Sequence, residues 1–240
     1  MTENEKSGFR RRYRDACAAA HALDLIGDRW ALLVVRELMT GPKRFSDLRA
    51  GLPGISANIL TQRLAELETV GLLIRAELPP PAATKVYELT QWGYEAEPIL
   101  KVLGNWAARS PLHDPTMPFS AASCILSMRT MFSPEKAEED QFKIGIRLGR
   151  ETFVAYVNQG HFTCDPASVD GISTVITCAP ESLAAAIYGG VPLDTLIADG
   201  VISITGDRAV FERYTTLFPL PEKAATPASV AADILNEQAS

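Results

Sequence analysis

The stretch F-S-D-L-R-A-G-L-P-G-I-S-A-N-I-L-T-Q-R-L-A-E-L-E-T-V-G-L-L-I-R, residues 45–75, decides the fold. Phe45 and Leu48 start a short helix that Gly51, Pro53 and Gly54 stop. Ser56 then stands where an N-cap belongs, its hydroxyl able to accept from the orphan amides of the next turn. Leu60, Leu64, Leu67 and Gly71 fall on one stripe at helical spacing and can pack inward. Asn58, Thr61, Gln62 and Ala65 fall on the opposite face, which is small, polar and nearly free of charge. A merely solvated helix face more often carries Lys and Glu. Amides and hydroxyls read base edges in a major groove, and Ala can touch a thymine methyl. The helix ends at Gly71, and Leu72, Leu73 and Ile74 open an apolar strand. The pattern predicts a helix-turn-helix followed by a wing.

The wing itself alternates: Ile74, Ala76 and Leu78 against Arg75 and Glu77, with V-Y-E-L returning at 86–89. Pro79, Pro80 and Pro81, with Ala82, Ala83 and Thr84, form its tip, stiff and short of donors for edge pairing. Arg75 and Lys85 flank the tip within reach of a minor groove or its phosphates. Upstream, Lys43 and Arg44 immediately precede the Phe45 helix, where side chains suit phosphate contact. Ser56 and Arg63 are expected at or near the groove with Asn58, Thr61 and Gln62. Further upstream, Asp28 is placed to cap a helix over 29–39, with Trp30, Leu33, Val34 and Leu38 as its core stripe and Gly41-Pro42 as its stop. Residues 16–26 read as another helix. Arg10, Arg11, Arg12 and Arg14 form either a phosphate-contacting arm or a solvated helix start. Downstream, Thr90 is a second N-cap. Tyr94, Pro98, Leu100, Leu103 and Trp106 then give a long apolar helix with an expected kink at Pro98. That is more apolar surface than a terminal helix of a small monomer needs.

A chain of 240 residues with 47% hydrophobic content can form two ordinary domains. The net charge of −6 is unevenly spread. Residues 1–112 hold 15 Lys+Arg against 13 Asp+Glu, a net of +2, and the remainder holds 8 against 16, a net of −8. The change of sign points to two domains with different partners. Residues 110–118, S-P-L-H-D-P-T-M-P, read as a stiff linker. No run of 18 apolar residues and no apolar signal core is present, so the expected location is cytoplasmic, with no membrane partner. The four cysteines, Cys17, Cys124, Cys164 and Cys178, lack zinc or disulfide spacing. His21, His113 and His161 belong to no nucleophile–base–orienter pattern, and no phosphate loop or dinucleotide fingerprint is present. No catalytic residue, metal site or cofactor is therefore expected.

The first 110 residues resemble the HxlR-type winged-helix transcription regulators, relatives of the MarR class. The resemblance lies in A-L-D-L-I-G-D-R-W (22–30), F-S-D-L (45–48), G-I-S-A-N-I-L-T-Q-R-L-A-E-L (54–67), G-L-L-I-R (71–75) and Y-E-L-T (87–90). It implies a dimeric regulator, built two-fold by helices at both ends of the domain, on a palindromic DNA operator. It also implies attention to Cys17, since regulators of this type often carry a cysteine there that in some senses oxidants. Their pattern puts proline directly after it, whereas Ala18 stands here. A small buried hydrophobe is the preferred reading of Cys17.

The second half reads as an α+β layer: a helix over 120–132, strands over 142–148, 153–158, 161–164, 172–178 and 201–205, and helices over 181–188, 193–198 and 208–218. Through G-R-E-T-F-V-A-Y-V-N-Q-G, T-V-I-T-C-A-P-E-S-L and D-G-V-I-S-I-T-G-D-R-A-V-F-E-R-Y-T-T-L-F it looks like a sterol-carrier-type lipid-binding domain. That implies an apolar tunnel for a hydrophobic effector. The expected organisation is a winged helix over 1–110, a linker over 111–118, the sterol-carrier-like domain over 119–221 and a tail over 222–240. The expected function is a dimeric, sequence-specific transcription regulator, a repressor. The alternative is a hydrophobic-ligand carrier whose winged helix serves dimerisation.

Overall fold

The computed structural model describes residues 13–79 and 83–226. The Arg10–Arg12 part of the basic cluster, the tip residues Pro80, Pro81 and Ala82, and most of the expected tail lie outside the described residues. The chain divides into two units. One holds the described residues up to Leu100 together with Phe119–Leu126; the other holds Lys101–Pro118 and the described residues from Ser127 onward.

The first unit runs α1 (Ala18–Ile26), α2 (Ala31–Leu38), α3 (Phe45–Gly51), α4 (Ala57–Thr69), β1 (Leu73–Glu77), β2 (Lys85–Leu89) and α5 (Gln91–Tyr94). Helices α6 (Glu97–Ala108) and α7 (Ala121–Met131) contribute residues to both units. The stripe expected on α4 forms: Leu60, Leu64 and Leu67 are buried against Val34, Val35, Leu38, Leu48 and Leu73. Ser56 caps α4 by accepting from the Ile59 amide at 3.2 Å. Gly71, at φ +81°, turns the chain so that the Leu72 amide donates back to the Leu67 carbonyl at 2.9 Å. This left-handed conformation favours glycine. β1 and β2 pair antiparallel with Arg75 opposite Tyr87 and Glu77 opposite Lys85, which is the expected wing.

Three local expectations change. Asp28 does not cap α2. That helix starts at Ala31 behind Trp30, which has φ +81°, and the Asp28 carboxylate instead meets Arg63. The buried face of α2 is Ala31, Val34, Val35 and Leu38, spaced i, i+3, i+4, i+7, which leaves Leu33 exposed. Pro98 kinks nothing. The apolar run is two helices, and Pro98 lies in the first turn of α6, where a missing N–H costs little. Thr90 does cap α5, accepting from the Gly93 amide at 3.1 Å.

The second unit is built on a five-stranded sheet in the order β5-β4-β3-β6-β7. Its strands are β3 (Gln141–Leu148), β4 (Glu151–Asn158), β5 (His161–Pro166), β6 (Val175–Cys178) and β7 (Ile202–Thr205). β3 and β6 are parallel and the other neighbours antiparallel, so the sheet is mixed. Helices α8 (Pro180–Tyr188), α9 (Leu193–Ala198) and α10 (Arg208–Thr215) follow the strands, in an α+β order. In register, Ile146, Phe153 and Ile176 share one sheet face. Phe142, Phe162, Tyr214 and Phe218 meet ring to ring at 4.9–6.5 Å between centroids, filling the space between this end of the sheet and α10.

Candidate nucleic-acid interface

Asn58, Thr61, Gln62 and Ala65 are all exposed on α4, on the face away from its leucines. Thr61 Oγ1 donates to the Ala57 carbonyl at 2.9 Å. Gln62 Nε2 donates to Glu66 Oε1 at 2.9 Å. Ser56 is exposed, and the oxygen that caps α4 still carries its own proton for a phosphate. Arg44 is exposed at the start of α3 and has no ion-pair partner among the described residues. Arg49, not among the expected contacts, is exposed at the end of the same helix. Its signal was a basic residue one turn after Phe45.

Two of the expected DNA contacts are placed elsewhere. Lys43 is 8% exposed, and its Nζ lies 3.3 Å from Glu37 Oε2. Its backbone exchanges hydrogen bonds with Tyr87 of β2, at 3.0 and 2.9 Å, so it joins helix to wing. Glu37, fully buried, also receives Arg36 at 2.9 Å and the Ser120 hydroxyl at 2.6 Å. A buried carboxylate must find such donors, and it holds Lys43 inward. Arg63 is folded down as well. Its side chain is 11% exposed and pairs with Asp28 and, at 2.6 Å, with Glu66. These side chains support the surface from beneath.

In the wing, Arg75 is well exposed but rests over the Tyr87 ring, 5.7 Å from its centroid, with Nε 3.0 Å from Glu68. Lys85 is exposed on the opposite strand. Cys17 contradicts the buried expectation: its thiol is exposed just before α1. The backbone amides of Ala20 and then Ala19, at the start of α1, favour its thiolate and hold its pKa below the ordinary thiol value. Cys124, Cys164 and Cys178 are buried, and burial pushes Cys164 and Cys178 each up to about 12.

The helix-turn-helix and wing have counterparts. The HxlR-like helix-turn-helix profile matches residues 25–113. An uncharacterized HTH-type transcriptional regulator of Bacillus subtilis, YvaP, is 38% identical over 86 residues, which are 36% of this chain and 80% of that protein. The chain belongs to the HxlR-like helix-turn-helix family. Another relative, the HTH-type transcriptional regulator YodB of Bacillus subtilis, is 36% identical over 86 residues, 36% of this chain and 77% of its own. The solved structure of the reduced form of YodB aligns with a TM-score of 0.37 at 32% identity, covering 42% of this chain and all of that one. The HxlR-like match ends at residue 113, before the five-stranded sheet begins.

Proposed function

We propose that this protein is a sequence-specific DNA-binding regulator of transcription. The observation that carries this reading is the outward face of α4. Asn58, Thr61, Gln62 and Ala65 stand exposed on a capped helix whose other face is locked into the core. That set offers amide, hydroxyl and methyl groups to base edges. Arg44 contacts phosphate, Lys85 and Arg75 serve the flanking groove, and Ser56 donates at the helix start. Relatives bearing the same domain are HTH-type transcriptional regulators. The protein works in the cytoplasm as a repressor without enzymatic activity.

It acts as a dimer on a palindromic operator. Support comes from α6, where Ile99, Val102, Leu103 and Trp106 are 45%, 70%, 42% and 72% exposed at i, i+3, i+4, i+7 spacing. Such a stripe is the seam of a helix pair, and two reading helices one DNA turn apart match two-fold half-sites. Cys17, exposed and acidified, is suited to sensing an oxidant or electrophile. The second unit takes a hydrophobic effector in a sterol-carrier-like layer of sheet and helices. An effector acts only through unequal affinity for two dimer shapes.

The test is binding to the protein's own upstream intergenic DNA against random DNA at two salt concentrations. Tight binding that survives competitor is expected. Weak binding lost equally from both DNAs would leave only electrostatic attraction. Among variants, Gln62→Ala is expected to weaken the operator about tenfold and random DNA hardly at all. Arg44→Ala is expected to weaken both and to reduce the salt slope by about one. Equal losses for Gln62→Ala on both DNAs would refute its role. A second reading, a carrier of hydrophobic ligands, draws on the helices following the mixed sheet. Purified protein that brings lipid along and ignores its promoter would favour it.

A further inference from the structure

Four side chains form a chain of contacts across the α4 surface: Asp28, Arg63, Glu66 and Gln62. Arg63 pairs with Asp28 from the segment before α2 and, through Nη1, with Glu66 Oε2 at 2.6 Å. The other carboxylate oxygen, Oε1, accepts from Gln62 Nε2 at 2.9 Å. Gln62 and Glu66 are one turn apart, so they share a face of the helix.

We infer that Glu66 is a specificity-determining residue that fixes which way round the Gln62 amide meets the base. The inference rests on the DNA-reading role proposed above for Gln62. A carboxylate only accepts, so the amide must turn its NH2 group toward Glu66 and its carbonyl oxygen away. Glu66 cannot swing aside without breaking its ion pair with Arg63, whose side chain is 11% exposed and anchored at Asp28. The amide therefore presents outward a carbonyl acceptor and its one remaining N–H. Adenine answers both, with the N6 donor and the N7 acceptor. Cytosine answers the carbonyl alone, through its N4 donor. Guanine and thymine can answer only the N–H, through N7, O6 or O4, and have no donor in the major groove for the fixed carbonyl. Glu66 thus makes one base pair of each half-site prefer adenine, the one base that answers both groups, over the other three. Without Glu66 the amide can turn over and offer its NH2 group to those acceptors.

The experiment is selection from a random duplex library with the wild-type protein, Gln62→Ala and Glu66→Ala in parallel. Gln62→Ala identifies the base pair that the amide reads, because its preference disappears there. At that pair the wild type is expected to favour adenine over guanine by about tenfold. Glu66→Ala is expected to bring the ratio below about threefold there and leave the other positions alone. Removing a carboxylate also relieves phosphate repulsion, but that raises affinity for every sequence equally. Glu66→Gln, which keeps the side-chain length with one acceptor oxygen, is expected to give an intermediate ratio at the same pair. Guanine or thymine enriched there by the wild type, or an unchanged preference in Glu66→Ala, would overturn the inference alone. No enriched sequence at all with the wild type would overturn the regulator reading and the inference with it.

Discussion

The Lys43 ammonium lies 3.3 Å from Glu37 Oε2, in a pair almost closed to solvent. Removing one partner of such a pair leaves a charge stranded in low dielectric. Glu37 keeps Arg36 and Ser120, which softens the loss. Lys43→Ala is expected to lower stability by about 2 kcal/mol, measured by urea unfolding, and to leave the salt slope of DNA binding unchanged. An unchanged urea midpoint with a shallower salt slope would return Lys43 to the phosphate. Cys17 offers a second test at this scale. Its lowered pKa means that the thiolate appears at lower pH than in an ordinary cysteine. Its alkylation rate should therefore rise and level off earlier along the pH axis. Cys164 and Cys178 are pushed up to about 12, so they stay protonated and buried while the fold holds. The unfolded chain releases those protons from about pH 9 upward. Their contribution to stability is therefore intact below pH 9 and is lost as pH rises toward 12. Mass spectrometry of native protein after brief iodoacetamide treatment near pH 7 should find Cys17 alone modified; modification of the buried thiols would contradict their placement.

At the scale of elements, α4 depends on its first turn. The Ser56 hydroxyl satisfies the Ile59 amide, and the next hydrophobic residue inward is Leu60. Ser56→Ala is expected to cost about 1 kcal/mol, seen as a lower urea midpoint. Ser56→Asp keeps a capping oxygen, so stability should hold. Its new carboxylate would face the DNA backbone, so operator affinity should fall. Stability lost in Ser56→Asp would show that the cap was misassigned. The helix was legible in sequence because a 3.6-residue leucine stripe, a capping serine and Gly71 agree about its place. The wing was legible because period-two alternation on both sides of the proline run sets its register. The start of α2 was not legible. Asp28 is a good cap by type, but its carboxylate is drawn to Arg63, which lies 35 residues away in sequence. No local rule reports such a competitor.

Across the whole molecule, charge and apolar exposure are unevenly shared. The first 112 residues carry a net +2 and the rest −8, so any attraction to DNA belongs to the first part. The most exposed apolar side chains on α6, Val102 and Trp106, are the expected seam of the proposed dimer. Trp106→Glu is expected to shift sedimentation from dimer to monomer and to lower affinity for a two-half-site operator far more than for a single half-site. A dimer that survives Trp106→Glu together with Val102→Arg would place the seam elsewhere.

The sequence by itself determined the elements of the winged helix and the outward set of Asn58, Thr61, Gln62 and Ala65, because periodicity, caps and turn residues act over a few positions and leave local marks. It also marked the strands of the second half, whose observed bounds differ from the expected ones by a few residues at most. Only the tertiary structure decided which polar groups work and which are spent. Lys43 and Arg63 look like DNA contacts in the chain, yet they go to the carboxylates of Glu37, Asp28 and Glu66. Cys17 looks like a core residue, yet it stands exposed beside the amides of Ala19 and Ala20. The reason is physical: a charge or a thiol acquires its role from partners and burial, and these are set by segments far apart in sequence.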